Sequence, residues 1–194
     1  MATRRIGSET SATRAALMDS VEAVMREDGY GALTARSVAE RAGLKHQLVY
    51  YYFATMDALL MATYLRHTGR VEAGIEAALA GPRPLHALWA AASSPPDAVL
   101  NMEFMALANH NPAIRAETVV FGERVRRIGL EGVARHLAGR GLPAEVANPI
   151  AATMAVASMG MNFGMEATLG ISGGHAELLA LVEWSLARIE PASD

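Results

Sequence analysis

The side chains best suited to specific chemistry lie close together, between residues 33 and 53. Gln47 carries an amide that can form two hydrogen bonds with an adenine, and Arg36 can form the equivalent pair with a guanine. Tyr50 offers an apolar ring to a thymine methyl group and a hydroxyl to a phosphate. His46 and Tyr51 add polar atoms beside them. These residue types indicate contact with double-stranded DNA if the chain presents them on one surface.

Two short helices joined by a tight turn would provide that surface. Thr34 can cap a first helix that runs to Ala42, and Gly43 then supplies the turn. A second helix can follow over residues 45–51, and Ala39 is small where the two helices cross. The side chains that can close a small core at this crossing are Val38, Leu44 and Val49. The side chains that the second helix would then expose to a major groove are His46, Gln47, Tyr50 and Tyr51.

This helix-turn-helix segment resembles the DNA-binding motif of the TetR family of ligand-responsive transcriptional regulators. The residues that match the family pattern are Thr34, Ala39, Ala42, Gly43, Tyr50, Tyr52, Phe53 and Leu59. The motif covers about residues 10–60, and the expected helices beyond it are similar to the family in number and length. The resemblance implies base contacts from Arg36, His46, Gln47 and Tyr50, and contacts with the DNA backbone from Tyr51 and Tyr52.

Packing is the alternative role for two of these tyrosines. Tyr50 and Tyr52 can simply fill the small domain, and we expect Tyr52 to be about half packed and Tyr50 to be mostly exposed.

Three positions depart from the family pattern. Lys45 stands where a serine or threonine usually caps the recognition helix, and Leu48 stands where a hydroxyl usually meets phosphate. Met56 replaces a lysine that usually meets phosphate at the start of the fourth helix. Two phosphate contacts are therefore in doubt. The basic residues that can compensate are Lys45 at the groove edge and Arg4, Arg5 and Arg14 in an N-terminal arm.

The composition predicts one all-helical chain. Its 194 residues are 52% apolar, apolar residues recur at intervals of three and four, and strand signals are almost absent. The formal charge of −3 gives no general affinity for nucleic acid, so the positive groups must be placed locally. The chain has no cysteine, which excludes disulfides and thiolate sites, and no signal peptide, so we expect a cytoplasmic protein. The uncharged run over residues 146–165 contains asparagines and a proline, which argue against a membrane span.

About nine helices are expected, and they divide into three functional parts that follow one another along the chain. Residues 1–54 form the helix-turn-helix DNA-binding domain, in which Ser8 or Ser11 caps the first helix. Residues 55–81 form a connecting helix, and residues 82–194 form a helical domain for ligand binding and dimerisation.

Methionines point to an effector site in the C-terminal part. Six of the eleven in the chain lie on the expected sixth and eighth helices, and flexible thioethers suit a pocket that reshapes around an apolar ligand. The alternative for any single methionine is ordinary core packing. The residues that we expect to contact an apolar small molecule are Met102, Met105, Asn109, Phe121, Arg124, Met161, Asn162 and Met165. Glu103 is a further polar group that could orient it.

Symmetric pairing is expected through the last two helices. The eighth helix carries a strip of small residues at four-residue spacing, namely Ala152, Val156, Gly160 and Gly164. The ninth carries an apolar stripe, namely Leu178, Val182, Leu186 and Ile189. Together they would form a four-helix interface in a homodimer, although a small-residue strip can equally serve a close crossing within one chain.

Two other classes of protein compete with a DNA-binding regulator. An enzyme is disfavoured because the chain has no nucleophile elbow, zinc-protease motif or phosphate-binding glycine loop. Its six histidines lie too far apart for metal-ligand spacing, so neither a metal nor a cofactor is expected. A protein-interaction module without DNA binding would leave the tyrosine-rich second helix without a purpose.

Overall fold

The computed structural model describes residues 11–94, 97–138, 141 and 148–191, and every regular element within these ranges is helical. The α-helices are α1 (Ala12–Asp28), α2 (Ala35–Arg41), α3 (Gln47–Tyr52), α4 (Met56–Leu79), α5 (Pro84–Ser93), α6 (Ala98–His110), α7 (Pro112–Leu137), α8 (Pro149–Leu169) and α9 (His175–Ile189). A single 3-10 turn, Tyr30–Ala32, follows α1. The all-α fold with about nine helices that the sequence predicts is confirmed.

Polar side chains at the helix starts explain why the helices begin where they do. The Oγ atom of Ser11 accepts a hydrogen bond of 3.1 Å from the backbone N–H of Arg14 and so caps α1. Asn111 and Asn148 cap α7 and α8 in the same way, each before a proline at the first helical position. Ser8, the alternative cap for α1, lies outside the described residues.

Two compact units interleave along the chain. The first contains the described residues up to Gly69 together with Val99–Thr118, and the second contains Arg70–Ala98 and the described residues from Val119 onward. The helices α1, α2 and α3 therefore share a unit with α6. The functional boundaries predicted after residues 54 and 81 divide the chain into consecutive segments, whereas each compact unit combines two separate segments. These functional boundaries stay a prediction.

Each unit has its own apolar core. In the first unit the stripe predicted for α1 is buried, and it packs with residues from α2, α3, α4, α6 and α7. Its fully buried members are Leu17, Val21, Met25, Val38, Val49, Leu59, Leu100 and Leu107. The second core is built from Leu79, Leu85, Val133, Leu137, Val156, Val182 and Leu186. Because α6 contributes to the first core, it is fixed against the helix-turn-helix.

The small-residue strip on α8 serves a crossing within the chain. A Cβ atom placed on Gly160 would lie 2.6 Å from the Cβ of Ala92 and 3.1 Å from the backbone nitrogen of Ser93, both on α5. Gly160 and Gly164 are accordingly buried. At Gly160 the strip therefore serves the alternative that the sequence left open, a close crossing within one chain, because α5 occupies the space beside it.

The apolar stripe predicted for the dimer on α9 is also turned inward. Val182 and Leu186 are buried in the core of the second unit, and Leu178 and Ile189 pack against it. The predicted apolar stripe is present, but an amphipathic stripe does not distinguish a core from an interface. Within the described residues no helix is long and apolar enough to cross a membrane.

Candidate nucleic-acid interface

A reciprocal cap fixes the start of α2. The backbone N–H of Ser37 donates to Thr34 Oγ1 at 3.0 Å, and the backbone N–H of Thr34 donates to Ser37 Oγ at 2.9 Å. The Ser37 hydroxyl also donates to the carbonyl of Ala32 at 2.8 Å. The predicted cap at Thr34 is confirmed, and it sets the entry angle of the chain into the helix.

A left-handed glycine makes the turn between α2 and α3. Gly43 has φ +67°, a conformation that residues with a side chain rarely adopt. The next backbone N–H, that of Leu44, donates to the carbonyl of Ala39 at 2.8 Å. Val38 and Val49 are fully buried on the two sides of the turn. The two helices are therefore held at a fixed angle by local hydrogen bonds and by one shared core.

The residues predicted to read DNA lie on the outer side of α3. Lys45, His46 and Gln47 are exposed where α3 begins. Tyr50 and Tyr51 retain 39% and 40% of their accessible surface. Val49, which lies between Gln47 and Tyr50, faces the core. The structure thus brings these five predicted contacts together on one short helix and the residues that precede it.

The start of α3 carries no side-chain cap. The N-cap residue is His46, one position later than the family's usual cap at Lys45, and its side chain accepts no hydrogen bond from the helix. The backbone N–H groups of Leu48 and Val49 donate instead to the carbonyls of Lys45, at 2.9 Å, and His46, at 3.1 Å.

Arg36 lies on α2, in the neighbouring helix. Its Nε donates to Glu40 Oε1 at 2.7 Å, and this hydrogen bond raises the pKa of Arg36 above its usual value. Both side chains are well exposed, so the pair is worth little and DNA can compete for the guanidinium.

Tyr52 is engaged within its own chain. It is half-buried against the first core, and its ring lies edge-on to that of Tyr51 with centroids 5.0 Å apart. Hydrogen bonds with the side chains of Ser11 and Thr13 lower the pKa of Tyr52. The end of α3 is therefore attached to the start of α1, and a DNA-backbone contact from Tyr52 would have to share its hydroxyl.

The expected compensating charges are only partly described. Arg14 belongs to the first turn of α1 and not to an arm, and its guanidinium lies 4.5 Å from the ring centroid of Phe53. Arg4 and Arg5 lie outside the described residues.

Met56 and Leu48 are half-buried, and Met56 packs against the first core. The residue at the family's lysine position thus serves partly in packing.

The predicted effector contacts are divided between the units. Met102, Met105 and Asn109 lie on α6 in the first unit, where Met105 is 56% exposed. In the second unit, Phe121 is half-buried on α7, and Nε of Arg124 lies 3.2 Å from Glu72 Oε2. A concave patch on α7 is lined by Val119, Val120, Glu123, Arg124 and Arg127.

The other predicted effector contacts lie on the surface of α8. Met161 and Met165 are exposed, at 63% and 37% of their accessible surface. Asn162 donates to Glu166 Oε1 at 3.0 Å, and hydrogen bonds from His175 and Asn162 lower the pKa of Glu166. The amide predicted to orient a ligand is thus paired with its own helix.

Glu103, which was a candidate for orienting a ligand, contacts another part of its own chain. Glu103, on α6, accepts a hydrogen bond of 2.7 Å from the backbone N–H of Tyr30, in the turn between α1 and α2. Nothing in the local sequence indicates this contact, because its partners are 73 residues apart. Among the described residues, no group of three or more acidic or histidine side chains could hold a metal ion.

A helix-turn-helix with an exposed polar and aromatic second helix defines the class of DNA-binding proteins that read the major groove. Residues 17–63 match the sequence model of the family described as "Bacterial regulatory proteins, tetR family". Residues 17–63 therefore form a helix-turn-helix DNA-binding segment of the kind that tetR-family transcription regulators carry. Among curated protein sequences none matches the chain.

Solved structures resemble the chain over almost its whole length. A regulatory protein of the tetR family from Rhodococcus RHA1 is 25% identical, with a TM-score of 0.65 over 95% of this chain and 100% of that one. A TetR transcription regulator from Haloarcula marismortui is 20% identical, with a TM-score of 0.71 over 92% and 96%. The superantigen PfiT is 16% identical, with a TM-score of 0.68 over 96% and 100%. The last two likenesses show the fold alone.

Proposed function

We propose that the protein is a ligand-responsive repressor, which binds palindromic operator DNA as a homodimer and is released by an apolar small molecule. The observation that carries this proposal is the outer side of α3, where Gln47 and Tyr50 are exposed while Val49 anchors the helix. A polar surface on so rigid a support suits direct contact with base edges. Arg36 and His46 complete the proposed base contacts, and Lys45, Tyr51 and Tyr52 the proposed contacts with the DNA backbone.

The proposed homodimer accounts for apolar surface that one chain leaves uncovered. Five of the six large apolar residues that are exposed on α8 recur on one face, namely Ile150, Met154, Met161, Met165 and Leu169. On α9, Leu181 and Trp184 are 59% and 57% exposed, and Arg188 stacks on the Trp184 ring at 3.7 Å. We propose that a second copy covers this surface, because a two-fold axis brings the same apolar face of the two copies together. Two recognition helices about 34–36 Å apart would then enter successive major grooves.

The proposed effector site is centred on α6. Met102 is half-buried, Met105 is exposed, and Asn109 adds a polar group at the end of the helix. Phe121, Arg124 and Asn162, which belong to the second unit, are separate candidates for effector contacts. An effector releases DNA only if it binds more tightly to a conformation that does not fit the operator. The exposure of Met161 and Met165 favours the dimer interface over the effector site for these two residues.

Two alternatives compete with this proposal, a helical enzyme and a protein-interaction module without DNA binding. The tetR-family structures that resemble the chain are those of regulators, which favours a regulatory protein over an enzyme. The exposed α3 surface favours DNA over a protein partner.

Selection of binding sites from random DNA with the purified protein tests the proposal. We expect a palindromic consensus, and a gel shift with the enriched site should show two protein chains on each duplex. Double substitution with Gln47→Ala and Tyr50→Ala should abolish enrichment, whereas Glu131→Ala, at an exposed residue of α7, should not. Failure of the wild-type protein to enrich any sequence would contradict operator binding.

Two methionine variants separate the proposed effector site from the proposed dimer interface. Once an apolar compound that releases the operator has been found by screening, Met105→Glu should abolish release while dimer and operator binding persist. Met161→Glu should instead weaken the dimer. Loss of release without loss of the dimer in Met161→Glu would return this residue to the effector site.

A further inference from the structure

A carboxylate on α6 reaches the turn that precedes the helix-turn-helix. Glu103 Oε2 accepts the hydrogen bond from the Tyr30 backbone N–H at 2.7 Å, a short distance that is typical of charge-assisted bonds. Because the donor is a backbone group, the bond acts on the path of the chain and not on the tyrosine side chain. Glu103 thus holds one defined point of the turn between α1 and α2.

That turn is linked to α2 by consecutive hydrogen bonds. The N–H of Leu33 donates to the carbonyl of Tyr30 at 3.1 Å, and the Ser37 hydroxyl donates to the carbonyl of Ala32 at 2.8 Å. Ser37 is also the partner of Thr34 in the reciprocal cap. The position of the turn therefore sets where α2 begins.

The position of α2 in turn sets that of α3. The N–H of Leu44 donates to the carbonyl of Ala39 across the connecting turn, and Val38 and Val49 are buried in the same core. Such tightly packed elements move together, because a shift of one would open a void or a clash. A displacement at Tyr30 is thus passed to the helix that carries Gln47.

The helix that carries Glu103 is itself well fixed. Leu100 and Leu107 are fully buried and Phe104 is 3% exposed, all three in the core that also contains residues of α1 and α4. Phe104 contacts Tyr64 edge-on, with ring centroids 5.1 Å apart. Glu103 therefore extends from a rigid support towards the 3-10 turn Tyr30–Ala32, none of whose residues is buried.

We infer that Glu103 is a positioning residue for operator recognition: its bond to the Tyr30 N–H holds the turn that orients α2 and α3. This inference rests on the proposed operator binding, and it adds a residue that does not touch DNA. Because Met102 and Met105 lie on the same helix, a movement of α6 would reach the turn through this bond.

Two substitutions at Glu103 that differ only in the hydrogen-bond acceptor provide the first test. Glu103→Ala and Glu103→Gln both remove one negative charge, but glutamine keeps a carbonyl oxygen that can accept from Tyr30. In Glu103→Ala we expect operator affinity to fall about tenfold for each half-site, as it would if the turn held its DNA-binding arrangement for only a tenth of the time. In Glu103→Gln the fall should be smaller, about threefold or less.

Charge and folding have separate controls. Glu131→Ala removes one acidic charge from an exposed site on α7 and reports the effect of net charge on DNA affinity. Thermal melts of all variants identify any loss of folded protein, and affinities are expressed per active molecule. Random DNA should be bound by Glu103→Ala as it is by Glu131→Ala, since phosphate contacts do not need exact placement of α3 against the bases.

A double-mutant cycle with Gln47→Ala shows whether the effect travels to α3. If Glu103 positions Gln47, Glu103→Ala should cost less operator affinity in the Gln47→Ala background than in the wild-type protein. Equal costs in both backgrounds, operator binding unchanged in Glu103→Ala, or equal losses on operator and random DNA would overturn the inference. If the wild-type protein itself shows no preference for any DNA sequence, the proposed function fails and not the role of Glu103 alone.

Discussion

Replacing Glu190 with alanine is expected to destabilise the second unit by about 2–4 kcal/mol. Glu190 is 1% exposed, although it lies just beyond α9 near the end of the chain. Its carboxylate accepts hydrogen bonds from the backbone N–H groups of Leu85 at 2.9 Å and His86 at 3.1 Å, and His86 Nδ1 lies 2.9 Å from it. These N–H groups belong to the first turn of α5, which has no other side-chain cap. Glu190 therefore satisfies the start of a helix that lies 105 residues earlier in the sequence.

The magnitude follows from what alanine would leave behind. Two N–H groups would lose their acceptor, at a cost of about 1–3 kcal/mol for each that is buried, and Leu85 is buried while His86 is half-buried. Loss of a negative charge at the start of α5 adds about 0.5 kcal/mol. Alanine also removes the free-energy cost of burying the carboxylate, which offsets part of this destabilisation. For a domain of this size, the melting temperature should fall by about 5–15 °C.

Thermal and urea unfolding of three variants measures this effect. Glu190→Gln keeps one carbonyl oxygen and should lie between the wild-type protein and Glu190→Ala. Glu183→Ala, at an exposed glutamate of α9, is the matched control and should change stability by no more than about 0.5 kcal/mol. Hydrogen exchange should locate the loss at the N–H groups of Leu85 and His86. If Glu190→Ala has the same melting temperature and urea midpoint as Glu183→Ala, the carboxylate does not stabilise α5 and the reasoning is refuted.

Three further predictions concern DNA binding and assembly. Gln47→Ala should weaken operator binding by about 1–3 kcal/mol for each half-site with random DNA nearly unaffected, and equal losses on both in a gel-shift titration would contradict a role in base reading. Met56→Lys should steepen the slope of log affinity against log salt by about 0.9 per protomer, since the lysine stem can keep the methionine's packing while its ammonium reaches a phosphate. Met56→Leu is its neutral control, and an unchanged slope, or weaker binding to operator and random DNA alike, would mean that this position serves packing alone. Trp184→Glu should give a monomer at micromolar concentration by light scattering, whereas Val120→Glu, equally exposed but on α7, should stay dimeric; a dimeric Trp184→Glu would place the interface elsewhere.

The amino-acid sequence by itself determined the helices and the helix-turn-helix. Caps such as Thr34 and Ser11, the left-handed turn at Gly43 and the buried stripe of α1 all depend on residues within a few positions of one another. Interactions of this range are encoded in the order of the residues, so their pattern can be read directly. The exposure of Gln47 and Tyr50 followed for the same reason, because Val49 between them had to face the core.

Only the tertiary structure decided what each buried surface faces. The stripe on α9 and the small-residue strip on α8 have the same sequence pattern whether they meet a second copy or their own chain, and here α5 and the second core cover them. Glu103 and Glu190 likewise find backbone partners 73 and about 105 residues away. A hydrogen bond between groups so distant leaves no periodic signal, since it depends on how the helices pack and not on how each one forms.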